Sequence, residues 1–191
     1  MSEGIGASVK RVEDKKFLTG KGRYTDDINR HGQVYAYFVR SDVAHANIKS
    51  INTESAKTAD GVTAVFTGED VAADGIGGPI CGWVVPNRDG SAMVEPPHPL
   101  LAQAKVMIVA DSVVVVIAET NEQAKSAGEL VEIEYEELPA VALLEKAASG
   151  TQIHEGVEEN RYFDWELGDE EATEKALKSA SRVVYISLRN N

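Results

Sequence analysis

Cysteine is almost missing from this chain. Cys81 is the only one in 191 residues, which excludes a disulfide framework within the chain and any four-thiolate iron-sulfur or zinc site. Long apolar runs are missing too: no stretch approaches the roughly 20 apolar residues that span a bilayer. The opening residues, Met1 to Gly6, lack the basic and apolar regions of a secretory signal, so retention in the cytosol is the expectation. Basic charge is scarce, with 19 Lys and Arg against 31 Asp and Glu and a net charge of -12. The acidic residues concentrate between Glu129 and Glu137 and between Glu155 and Glu171. A surface of that sign repels phosphate backbones, so no nucleic-acid partner is expected, and the carboxylates read as solvated faces. Phosphate-binding loops are also absent. Gly4-x-Gly6 has Val9 at the third-glycine position and no strand before it, and Gly20-Lys21-Gly22 lacks the required spacing and Lys-Ser/Thr ending.

What is present is an ordinary globular balance, 43% hydrophobic, in a chain long enough for one core or for a domain with a small satellite. Three consecutive elements stand out by period between Lys105 and Val141. Val113 to Ala118 is a mostly β-branched run, apolar on both faces, which predicts a central strand covered on both sides. Thr120 and Gln123 have capping-box spacing, and Ala124, Ala127, Gly128 and Val131 then recur on one helical face. Their small size lets such a helix lie close to whatever it covers. From Val131 the period becomes two, with Val131, Ile133 and Tyr135 on one side and Glu132, Glu134 and Glu136 on the other. Strand, helix and strand with short connections predict a right-handed crossover with parallel strands.

Gly4 to Asp27 is polar and glycine-punctuated and reads as an extended arm. Strands are predicted over 34–40, 48–53 and 62–67, with single helical turns over 55–59 and from Gly68. Asp74 to Pro99 is the least regular stretch. Its Ile80, Trp83, Val84, Val85 and Met93 seek burial, so it is expected to dock, either on the rest of this domain or on a surface outside the chain. A short helix over 141–148 ending at Gly150, a helix over 170–181 capped by Asp169 with an Ala172, Ala176 and Ala180 stripe, and a last strand over 182–188 complete the reading. The stop at Arg189-Asn190-Asn191, without a capping element, suggests a longer protein.

Chemistry-bearing residues form no constellation in the sequence. His31, His45, His98 and His154 lack ligand spacing, so no metal site is predicted. Cys81, between Ile80 and Gly82, reads as a small buried hydrophobe rather than a nucleophile. Ser41, Asp42 and His45 include the residue types of a hydrolytic triad without a nucleophile elbow. Asp26 and Asp27 read as turn residues that bond backbone amides. The expected catalytic, cofactor-binding and metal residues in this chain are therefore none.

Several stretches taken together resemble the amino-terminal region of the large, molybdopterin-binding subunit of the xanthine dehydrogenase, aldehyde oxidase and carbon monoxide dehydrogenase family. They are RVEDKKFLTGKGRYTDDI from Arg11, FVRSDVAHANIKSI from Phe38, GVTAVFTGEDV from Gly61, PLLA from Pro99, VVVVIAET through VEIEYEELPAV, then GTQIHE and GDEEA in the same order. The resemblance implies an α+β fold, an α/β hammerhead with a mixed sheet, a βαβ crossover unit and a long proline/glycine-rich loop. It divides the chain into an arm (1–27), the hammerhead (28–149) and a connecting segment (150–191) leading to cofactor-binding domains elsewhere in the subunit. The full enzyme it implies is cytoplasmic and oxidises a heterocycle, an aldehyde or carbon monoxide. Its molybdopterin cofactor is held outside this chain, and iron-sulfur clusters and FAD sit in partner subunits or domains. The family's base-like glutamate also lies outside, so this chain alone is expected to be inactive. Two departures stand out: Asp42-Val43 where the family often has Pro-His, and Ala110 where it often has glycine, so the turn into the central strand is expected to differ. The alternatives are a stand-alone acidic interaction module without enzyme activity, and a small hydrolase using Ser41 or Cys81 with His45.

Overall fold

The structure is a computed structural model that describes residues 4, 6, 8 and 10–188. Val9 and the terminal Arg189-Asn190-Asn191 lie outside the described residues. Elements in chain order are α1 (Asp14–Leu18), β1 (Tyr35–Arg40), β2 (Ala46–Asn52), α2 (Glu54–Lys57), β3 (Val62–Thr67), α3 (Gly68–Ala73), β4 (Lys105–Val106), β5 (Ser112–Ala118), α4 (Asn121–Gly128), β6 (Glu132–Glu137) and α5 (Glu170–Ser179). The strands form two three-stranded sheets, ordered β1-β5-β3 and β4-β2-β6.

The α+β class holds, but the parallel pairing expected of the strand-helix-strand unit does not. β5 and β6 belong to different sheets, and every pairing is antiparallel. The reason lies in the edges and faces of the two strands. Both edges of β5 are taken by β1 and β3, and its Val113, Val114 and Val116 are fully buried. β6 carries a glutamate on every second position, and β2 presents matching donors. Asn47, Ser50 and Asn52 donate to Glu136, Glu134 and Glu132 at 2.9, 3.1 and 3.0 Å, and Lys49 adds an ion pair to Glu136 at 2.8 Å. Cross-strand pairing of this kind sets register. The opposite face of β6, with Ile133 and Tyr135, joins the core beside Ile48, Ile51 and Val131.

α4 forms where the spacing places it. Thr120 Oγ1 accepts from the Gln123 amide at 3.2 Å and donates to Gln123 Oε1 at 2.9 Å. Ala124, Ala127 and Gly128 are its buried residues. Gly128 rests on the Tyr37 ring so closely that a methyl there would collide with it, and this contact brings the helix onto β1. The small stripe is thus a packing device between helix and sheet.

Three sequence expectations need correction. Residues 141–148 form only a 3-10 turn over Leu144–Lys146, because Leu143 and Leu144 find no surface to cover and so short a helix does not sustain itself. Residues 182–188 have no ladder partner among the described residues and leave Val184, Tyr185, Ile186 and Leu188 exposed. α5 is capped as expected, with Asp169 accepting from the Ala172 amide at 2.8 Å, but it stops at Ser179 and its alanine stripe faces solvent.

Candidate functional site

The triad types near the start of β2 do not assemble. The Ser41 hydroxyl donates to the Val43 carbonyl at 2.8 Å and accepts from the Val43 amide at 3.2 Å, closing its own small turn. His45 is buried, and its Nδ1 lies 2.8 Å from the Pro139 carbonyl; a carbonyl only accepts, so Nδ1 carries the proton. Its Nε2 and the Tyr135 hydroxyl are both buried without a hydrogen-bond partner among the described residues. Burial pushes the Tyr135 phenol up, and Asp42 and Asp111 add to the rise. His45 therefore pins Pro139 to the mouth of β2 and does not activate a nucleophile.

Cys81 is exposed, contrary to the buried role expected of it, and its thiol donates to the Trp83 carbonyl at 3.2 Å. It lies in an irregular stretch with no element to carry it inward. Asp27 does serve its turn, accepting from the Tyr24 amide at 2.8 Å, and Asp26 shares the same 3-10 turn.

Segment 74–99 docks on the chain's own later residues. Val94 and Arg88 donate their amides to the Tyr162 and Asp164 carbonyls, both at 2.8 Å, and the Asp164 amide returns to Asn87 Oδ1 at 2.8 Å. Arg88 pairs with Asp164 and Glu166 at 3.1 and 3.4 Å, and Trp83 meets Trp165 edge-on at 5.4 Å. Val85 is buried, whereas Ile76, Ile80 and Val84 remain exposed. Gly78 lies against the His98 carbonyl with no room for a Cβ, which folds the segment back on itself.

The result is an open groove of about 730 Å³ lined by Ile76 to Cys81, Met93 to Pro99, Gln103 and Tyr162. At one end His98, His154 and Tyr162 converge, with centroids 5.2 Å apart for the two imidazoles and 6.4 Å between His98 and Tyr162. Burial, reinforced by His98, holds the His154 imidazole below its ordinary range. Burial also pushes the Tyr162 phenol up. No sequence signal announces this cluster, because the two histidines come from separate loops that only the docking joins. Among the described residues no three His, Cys, Asp or Glu side chains gather as metal ligands, and no helix is long and apolar enough to cross a membrane.

The family described as aldehyde oxidase and xanthine dehydrogenase, a/b hammerhead domain, matches residues 19–139. The carbon monoxide dehydrogenase large chain of Afipia carboxidovorans is 35% identical over 95% of this chain, which covers 23% of that relative. The nicotine 6-hydroxylase large subunit of Paenarthrobacter nicotinovorans is 37% identical over 80% of this chain and 18% of its own length. The solved Cu,Mo-CO dehydrogenase superposes with a TM-score of 0.69 at 34% identity, covering 94% of this chain and 23% of that one. The chain thus spans less than a quarter of the length of each of these relatives.

Proposed function

Because this chain belongs to the aldehyde oxidase and xanthine dehydrogenase α/β hammerhead family, we propose that it is the noncatalytic hammerhead portion of a molybdenum-dependent hydroxylase or dehydrogenase large subunit. In this reading residues 1–27 are an arm, 28–149 the hammerhead and 150–191 the connection to cofactor-binding domains of the same polypeptide, with iron-sulfur and flavin subunits as partners, in the cytoplasm. The full enzyme oxidises a heterocycle, an aldehyde or carbon monoxide. One observation carries the proposal: sequence and fold agree with carbon monoxide dehydrogenase over nearly all of this chain while covering only 23% of that protein. A self-sufficient interaction module has no reason to match a small part of a large oxidoreductase from end to end.

The groove does not fit a molybdopterin group. Its lining includes no Lys or Arg and one carboxylate, Glu95, so a phosphate-bearing cofactor would meet no counter-charge there. No chemical step is therefore assigned to this chain; when bound elsewhere in the subunit, the cofactor supplies the redox chemistry and the protein positions and shields it. The contribution of this chain is packing and, through the largely apolar groove of segment 74–99, a wall of the substrate approach.

The test is elemental analysis of two purified proteins, the 191-residue chain and the polypeptide encoded by the full reading frame. The proposal expects molybdenum near one per molecule, with oxidation of carbon monoxide, an aldehyde or a nitrogen heterocycle by an artificial acceptor, only in the longer protein. Stoichiometric molybdenum in the 191-residue chain, or a stop codon directly after Asn191, overturns it.

A further inference from the structure

The sheet β1-β5-β3 is apolar on two sides and covered on one. α4 seals the inner side, where Val114, Val116 and Ala118 of β5 are fully buried. The outer side follows from register. Phe38 stands opposite Val115 and Val115 opposite Phe66, and the next row is Ala36, Ile117 and Ala64. These six side chains form a continuous two-row patch whose phenylalanines remain 43% and 39% exposed. Nothing polar interrupts the two rows. Strands apolar on both faces belong to sheets with a layer on each side, and here the second layer is missing among the described residues.

The size of the patch selects what covers it. Strands about 4.8 Å apart and rows about 7 Å apart outline roughly 200 Å², against about 800 Å² per partner in a stable interface between free proteins. A second copy also brings one net charge of -12 against another, which opposes association. A covalently attached layer needs no such area, because the tether holds it at high effective concentration. We propose that this face seats a layer supplied by the same polypeptide outside residues 1–191, with Phe38 and Phe66 as the anchors it buries. The proposal rests on the reading of this chain as part of a longer large subunit.

The experiment uses the full-length subunit with p-benzoylphenylalanine in place of Phe38 or of Phe66, and of the exposed Leu144 as reference. After irradiation, peptide mapping is expected to join positions 38 and 66 to one common region outside residues 1–191, within a single chain. Crosslinks to a second copy or to another subunit, or none beyond the Leu144 background, overturn the inference. Hydroxyl-radical labelling of the unmodified subunit gives an independent reading. Phe38 and Phe66 are expected to be as unreactive as the core, and labelling in proportion to the exposure seen here overturns the proposal. Molybdenum is measured on the same preparation. Molybdenum present with no such crosslinks defeats this inference alone, whereas a full-length chain without molybdenum defeats the functional reading whatever the crosslinks show.

Discussion

Ala110 to glycine is expected to stabilise the protein. Ala110 sits at φ 69°, in the left-handed region, within the turn that feeds β5. The turn is over-determined. The Ala110 amide donates to the Ser41 carbonyl at 2.8 Å, its carbonyl accepts from Arg40 Nη1 at 2.9 Å, and the Ser41 amide donates to the Asp111 carbonyl at 2.8 Å. These bonds hold an L-residue in a conformation that costs about 1–2 kcal/mol. Glycine relieves that cost but gives the unfolded chain about 0.4–1 kcal/mol of extra freedom. The Ala110 methyl is exposed, so its removal opens no cavity. The net gain is about 0.5–1 kcal/mol. With an unfolding entropy of about 2.1 cal/mol/K per residue, a chain of this length gains about 1–3 °C in Tm. Thermal unfolding followed by circular dichroism reads the shift directly. Asparagine at 110, which tolerates this region, should fall between alanine and glycine, and valine should melt lowest. A glycine variant that melts at or below the parent refutes the reasoning and means that the turn is not strained.

Other substitutions probe the remaining joints. Gly128→Ala should cost about 1–3 kcal/mol in denaturant unfolding, because the added methyl meets the Tyr37 ring and the overpacking outweighs any helical preference. Asp70 accepts from both the Thr67 amide (2.7 Å) and its hydroxyl (2.8 Å), and these bonds hold its carboxyl below the ordinary 3.8. A depressed carboxyl stabilises fully above that ordinary value, and the contribution fades as pH falls through the depressed one, so Asp70→Asn should flatten this part of the acid-unfolding curve. His154 is depressed from 6.5 by burial and then by His98, with His45 and Lys105 acting the same way and Asp111 opposing them. The unfolded chain protonates first, so the contribution is whole above about pH 6.5 and declines as pH falls below it. Tryptophan fluorescence should therefore show the contact between Trp83 and Trp165 loosening on acidification, and His154→Phe should remove that dependence.

The ordered segments between Arg11 and Ala172 resemble a hammerhead domain, and the family match and superposition bear that out. Legibility fails where partners are chosen at a distance. Ala110 lacks glycine's easy access to positive φ, and it still takes the left-handed conformation. The cause is a set of hydrogen bonds to Arg40 and Ser41, some seventy residues earlier. His98 and His154 carry no mutual spacing, and the docking of two loops brings them together. Cys81 looks buried from its neighbours and is exposed because no regular element carries it.

Local periodicity by itself determined the elements that depend on nearest neighbours: the β-branched run of β5, the capped small-residue face of α4 and the alternating glutamates of β6. Tertiary structure alone decided that β5 and β6 part into separate antiparallel sheets. A strand's period reports which of its faces is dry, whereas its partner is chosen by whichever other strand offers a free edge and complementary side chains, here the Asn47, Ser50 and Asn52 of β2.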